Sequence, residues 1–113
     1  MKSAVSIGNA VCAFRLTPGV AEGRIRKAAL ASENIIWGKH ALDRMEERGI
    51  TDVQVLEILR NGMVVDLPDK TDLDEWQCKI VKELRGKRKA GVVVIILHLD
   101  RLFLKTVEWE DVK

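Results

Sequence analysis

Tyrosine is absent from the chain, and the aromatic residues amount to two Phe and three Trp. No phenol is available for acid/base work, and few rings are present to stack bases. Cysteine is almost as scarce: Cys12 and Cys78 stand far apart, with no second pair and no CxxC. A disulfide framework and a zinc site are therefore not indicated, and two free thiols in a reducing compartment are the simpler expectation. Metal-ligand clusters are missing as well, so neither a metal nor a cofactor is expected. No apolar run approaches the length of a transmembrane helix, and no membrane partner is expected. The stretch from Lys2 to Cys12 faintly imitates a signal peptide, but polar residues interrupt it and no small-x-small site closes it. A cytoplasmic location is expected. An excess of one charge is also lacking: 19 Lys and Arg against 17 Asp and Glu leave a formal +2. The field of the whole molecule cannot by itself concentrate a polyanion, and any nucleic-acid role must rest on how the charge is distributed.

At 113 residues the chain has the length of one domain with a real core, and there are no internal repeats, low-complexity tracts or linkers. Apolar residues make up 47% and charged residues 32%, a globular balance rather than a disordered one. Charge is unevenly spread. From Lys79 to Lys89 there are six basic residues against one acid, whereas Asp66 to Glu75 carries five acids and only Lys70. A local basic surface with an acidic loop beside it follows.

Residues 1–16 show no clear period and read as a tail or a short strand. Thr17-Pro18 is a helix start, a hydroxyl cap followed by proline at the first helical position, with the helix running toward Ala31. Asn34 to Trp37 reads as a short strand ended by Gly38. From Lys39 to Arg48, Ala41, Leu42 and Met45 recur at helical spacing, and Gly49 stands where a left-handed C-cap is needed. Thr51 caps a second helix, Asp52 to Arg60, which Asn61-Gly62 stops. Met63 to Val65 reads as a strand, Pro68 to Asp74 as a polar loop, Trp76 to Leu84 as an alternating strand and Gly86 to Gly91 as a basic turn. Val92 to Leu99 is almost wholly apolar and predicts a central strand buried on both faces, paired with Leu102 to Trp109. Helices first and an antiparallel meander afterwards imply an α+β fold, with the αα-hairpin packed on one face of the sheet.

On the first helix of that hairpin, His40, Arg44 and Arg48 fall within roughly 80° of one another along successive turns. Ala41, Met45 and Leu42 occupy the adjacent arc, so the stripe lies at the edge of the buried face. Such ground suits a phosphate. It suits salt bridges equally, because Glu47 lies one turn from Arg44, and spacing alone favours a solvated, internally paired face. The hairpin also has the plan of a DNA-reading helix-turn-helix. Its second helix argues against that: Val53, Val55, Leu56, Ile58 and Leu59 leave only Gln54, Glu57 and Arg60 outward, whereas a reading helix needs a polar or basic face. His98, inside the apolar run, reads as a core or pairing histidine rather than a second catalytic one, and Trp76 and Trp109 read as core or sheet-edge packing.

The run Trp37-Gly38-Lys39-His40-Ala41-Leu42-Asp43-Arg44-Met45-Glu46-Glu47-Arg48-Gly49-Ile50-Thr51-Asp52-Val53, followed by Leu59 and Asn61-Gly62, closely resembles a bacterial family of domains of unknown function. That family's signature is HAxxRMxERGI, then a V, a short helix and a glycine. The family is viewed as related to the RelE/MqsR-like toxins within the wider barnase, colicin and RelE group of small ribonucleases. The resemblance spans roughly residues 17 to 109. It implies a single RelE-like domain over residues 17–113, with helices against a twisted antiparallel sheet. It further implies a toxin of a toxin-antitoxin system that cleaves RNA without a metal and is held inactive by an antitoxin covering its cationic groove. In that chemistry the 2′-hydroxyl attacks the neighbouring phosphate, which needs a base, cations around the phosphorane and a proton donor for the leaving oxygen. By position in the motif His40 is the acid/base candidate, a residue type that titrates near neutrality, and Arg44 and Arg48 are forked phosphate clamps. Lys79 completes the catalytic set, with Thr106 beside it on the last strand. Lys82, Arg85, Lys87, Arg88 and Lys89 would hold the RNA backbone. A non-catalytic RNA-binding or protein-interaction module of the same fold is the rival expectation, and a DNA-binding regulator the third.

Overall fold

The fold begins with three capped helices. Thr17 places its hydroxyl on the Val20 N–H at 3.3 Å, Pro18 opens α1 (Pro18–Ala29), and Ala21, Ile25, Ala28 and Ala29 form its buried face. Its end is held by other residues: Arg60 donates to the Ala29 carbonyl at 2.7 Å and Asn34 to the Ala28 carbonyl at 3.0 Å. The helix therefore stops short of Ala31. Residues 15–111 of this computed structural model are described. The expected tail or short strand over residues 1–16 lies outside them, apart from Arg15 and a buried Leu16.

The helical hairpin has the expected bounds almost to the residue. Strand β1 (Ile35–Trp37) leads through Gly38 into α2 (Lys39–Arg48), which ends at Gly49 in the left-handed region with φ 68°. A side chain at Gly38 would put a Cβ 2.5 Å from the Leu104 carbonyl oxygen and 2.8 Å from the Phe103 ring, so glycine alone lets the chain leave the sheet edge there. Helix α3 (Asp52–Asn61) starts on a complete capping box. Thr51 accepts from the Gln54 N–H, and the Gln54 side chain accepts from the Thr51 N–H. Val55, Ile58 and Leu59 are buried, but Val53 is 70% exposed and Leu42 on α2 is 46% exposed, so the core stripes are narrower than the apolar pattern suggested.

The remaining strands are β2 (Met63–Val64), β3 (Asp69–Lys70), β4 (Trp76–Glu83), β5 (Lys89–Ile96) and β6 (Leu102–Trp109). They form one open sheet in the order β1-β6-β5-β4-β2, with β3 also on β4. All pairs are antiparallel except β1, which runs parallel to β6 at the far edge. The fold is thus α+β with a mixed, mostly antiparallel sheet, and β3 lies inside what reads from sequence as a polar loop.

Strand alternation gives the sheet two unlike faces. Cys78, Ile80, Val92, Val94, Leu102, Leu104 and Val107 point to the helices and join Ala21, Ile25, Met45, Val55, Ile58 and Leu59 in one core. Burial of each large aliphatic side chain there stabilises by about 1.5–3 kcal/mol. The alternate positions Val93 and Ile95 are only half-buried, which corrects the expectation that this strand is covered on both sides. The run Val92 to Leu99 also ends early as a strand. Leu99 and Asp100 take positive φ values of 63° and 58° to turn the chain, and His98 is exposed in that turn rather than in the core. Among the described residues no helix is long and apolar enough to cross a membrane.

Candidate nucleic-acid interface

Helix α2 carries the stripe on which the sequence reading centred. His40 is exposed in the first turn, with no side-chain hydrogen bond or ion pair among the described residues. One turn on, Arg44 Nη1 meets Glu47 Oε1 at 2.6 Å, and Arg48 Nη1 lies 4.0 Å from the same oxygen. Lys39 pairs with Asp43 at 3.1 Å. The stripe is therefore partly neutralised by its own helix, as spacing alone allowed.

Its far end is tied to a second basic element through one tryptophan. The Trp109 indole Nε1–H donates to the Arg48 carbonyl at 2.8 Å, satisfying a backbone acceptor that the helix terminus leaves open. The Arg88 guanidinium lies 4.0 Å from the centroid of the Trp109 ring. Arg88 is held flat by two hydrogen bonds to Asp111, of 3.1 and 3.0 Å, which raise its pKa and lower that of Asp111. Arg88 belongs to the hairpin between β4 and β5, where Gly86 and Lys87 turn the chain with φ of 87° and 65°. Arg85, Lys87 and Lys89 on that hairpin are exposed and unpaired among the described residues. A continuous basic ridge results, from His40, Arg44 and Arg48 through Trp109 to Arg88 and the hairpin tip. Along it Arg44, Arg48, Arg85, Lys87 and Arg88 stand with Glu47 and Asp111, five cations less two carboxylates, or +3, while Lys89 turns to the other face of the sheet opposite Glu83.

Lys79 and Thr106 stand elsewhere. Register places Lys79, Val93 and Thr106 in one row across β4, β5 and β6, on the face of the sheet away from Trp109. Lys79 Nζ sits between Glu108 Oε2 and Glu110 Oε2, 2.6 Å from each. Lys79 and Glu110 rest over Gly91, where a Cβ would come within 2.8 Å of both the Lys79 Cε and a Glu110 oxygen. Partial burial works against the Lys79 charge, but the hydrogen bonds and charges of Glu108 and Glu110 outweigh it, and its pKa is raised. Lys79 is thus a committed cation, already satisfied. Lys82, three residues on, points to the helix side in the row with Ala90 and Trp109 and pairs with Glu57 of α3 at 3.0 Å.

Of the residues singled out from sequence, the fold joins the α2 stripe to Arg85, Lys87 and Arg88, and turns Lys89, opposite Glu83, to the other face. It sets Lys79 and Thr106 on the opposite face, and engages Lys82 with a helix. Trp109, Asp111, Glu108 and Glu110 carry parts that sequence reasoning did not give them. A signal was present for the two glutamates, since acids two apart in an alternating strand share a face. None existed for the Trp109 contacts, which depend on a helix 61 residues away. Among the described residues no group of three or more His, Cys, Asp or Glu side chains could hold a metal ion. Burial pushes the Cys78 thiol up to about 11, so it is no nucleophile at neutral pH.

No curated protein and no solved structure matches the chain. A family model does, over residues 37–109, which run from the end of β1 through the αα-hairpin to the last residue of β6 and take in the whole ridge. That family is described as a domain of unknown function (DUF4258), and since the match covers well over half of the sequence, the chain belongs to it.

Proposed function

We propose that this domain grips single-stranded RNA along the basic ridge and cleaves it as a metal-independent endoribonuclease of the toxin type. The observation that carries the reading is the contact chain Arg48–Trp109–Arg88, which makes one surface of two basic elements distant in sequence. The likeness of the α2 motif to relatives of the RelE/MqsR toxins supports the cleavage step. The 2′-oxygen of the substrate attacks the adjacent phosphorus, the bond to the 5′-oxygen breaks, and the products carry a 2′,3′-cyclic phosphate and a 5′-hydroxyl. His40, free at the start of α2, moves the proton. Arg44 and Arg48 take the phosphorane charge. Pairing with Glu47 does not exhaust them, because a guanidinium has five N–H donors. Arg85, Lys87 and Arg88 follow the flanking backbone, and a partner antitoxin would act by covering the ridge. Lys79 and Thr106 lie outside this clamp.

A second reading, RNA binding without cleavage, draws on the carboxylates of Glu47 and Asp111, which already bridge two of the arginines. Incubation with unstructured RNA and assay for 2′,3′-cyclic phosphate ends separates the two. Loss of an acid/base group costs at least about 100-fold in rate. His40→Ala is expected to lose cleavage by that factor while RNA affinity stays within about twofold. Arg44→Ala should weaken both. Cleavage by His40→Ala at the wild-type rate removes His40 from the mechanism, and RNA binding with no cleavage by wild type selects the second reading.

A further inference from the structure

We propose that the face of the sheet left uncovered by the described residues is a docking surface for a basic amphipathic helix of a partner protein. The inference is independent of the RNA reading, since this face lies across the sheet from Trp109. A solvated face of an antiparallel sheet normally alternates toward polar residues. This one does not. One cross-strand row carries Gln77, Ile95, Phe103 and Ile36, and the next Lys79, Val93 and Thr106. Beyond them come Met63, Val81, Gly91 and Glu108, with Met63 64% exposed at the edge. Val93, Ile95, Phe103 and Ile36 are half-buried, and none belongs to the helix-side core. Contiguous apolar surface of this kind marks an interaction site.

Charge selects the occupant. Around the apolar centre stand Glu108 and Glu110 and, at the cleft of about 360 Å³ where Ile95 meets the acidic loop, Asp69, Asp72 and Glu75. Against these five carboxylates are three amines, Lys70, Lys79 and Lys105, for a net −2, and Glu83 and Lys89, opposite one another on this face, cancel. The Asp69, Asp72 and Glu75 carboxylates have no hydrogen bond or ion pair among the described residues. A second copy would bring −2 against −2, and RNA would fare worse. A partner with an apolar stripe flanked by Lys or Arg meets both the centre and the rim. Four neighbouring strands give a floor roughly 14 Å across, which takes a helix about 10 Å wide, just as helices cover the other face.

The test uses a synthetic leucine–lysine amphipathic helix, with the leucine–glutamate peptide of the same pattern as control. Titration calorimetry and amide shift mapping on the full chain are expected to show the lysine peptide bound at least about tenfold more tightly than the glutamate one. Shifts should centre on Val93, Ile95 and Phe103. Ile95→Lys should weaken binding about tenfold with unchanged circular dichroism. Glu108→Gln, a near-isosteric change, should weaken it about threefold and serves if the lysine variant misfolds. Equal affinity for both peptides, shifts centred elsewhere, or unaltered binding by Glu108→Gln overturns the proposal. So does a dimer that buries Ile95 and Phe103, or peptide binding that requires prior removal of residues 1–14.

Discussion

Replacing Trp109 by Phe removes the indole N–H and keeps most of the ring. The lost bond spans 2.8 Å to the Arg48 carbonyl, a helix-terminal acceptor beside a half-buried ring. A hydrogen bond of this kind contributes about 1 kcal/mol net, and an acceptor left without a partner raises the cost to about 1–2 kcal/mol. For a domain near 100 residues each kcal/mol moves the midpoint by about 4–8 °C, so a drop of roughly 5–15 °C in Tm is expected. The smaller ring also holds Arg88 less firmly, and the end of α2 is released from the hairpin. RNA affinity should therefore fall with stability, which a mutation acting on packing alone would not produce at a temperature where the variant is fully folded. Urea denaturation gives the first quantity and anisotropy with a labelled RNA the second. A Trp109→Phe variant within about 0.3 kcal/mol of wild type and with equal RNA affinity would refute the claim that this tryptophan joins the two basic elements.

Other outcomes follow from the same contacts. Gly38→Ala drives a Cβ into the Leu104 backbone carbonyl, which cannot swing aside, and against the Phe103 ring, and should cost about 1–3 kcal/mol by thermal melting. Gly91→Ala meets only the mobile ends of Lys79 and Glu110, and should cost less than about 1 kcal/mol. Asp111, its pKa lowered by the Arg88 hydrogen bond, contributes stability that is present above the ordinary Asp pKa and lost as pH falls through the lowered value. Its carboxyl carbon, followed by NMR, should titrate below the ordinary Asp range in wild type and return toward it in Arg88→Ala. Cys78, buried and with its thiol pushed up to about 11, should resist a thiol reagent at pH 8 until the protein is unfolded in urea; rapid labelling of Cys78 in the native state would contradict its place in the core.

The parts of the fold legible in the sequence are those governed by local chemistry. Gly49 and the Thr51–Gln54 box set the hairpin turn through backbone conformation and capping, which neighbours in sequence decide. The parallel pairing of β1 was not legible, because nothing local tells a three-residue strand which edge it will join. Val92 to Leu99 misled in two ways. An apolar run does not say how many layers cover it, and the positive φ of Leu99, a residue with no turn preference, ends the strand before His98. The candidate site divides along the same line. Arg44 and Glu47 meet at helical spacing and could be read directly, whereas the Trp109 contacts and the Lys79–Glu110 pair exist only once β4, β5 and β6 are aligned.

The ridge itself is tested most directly by the salt dependence of binding to a single-stranded RNA. For single strands the slope of log affinity against log salt is about −0.7 for each phosphate neutralised. Arg44→Ala and Lys87→Ala, at the two ends of the ridge, are each expected to reduce its magnitude by about 0.7, and Lys27→Ala, an exposed cation on α1, to leave it unchanged. Equal slopes for wild type, Arg44→Ala and Lys87→Ala, or a loss in Lys27→Ala as large as theirs, would contradict it.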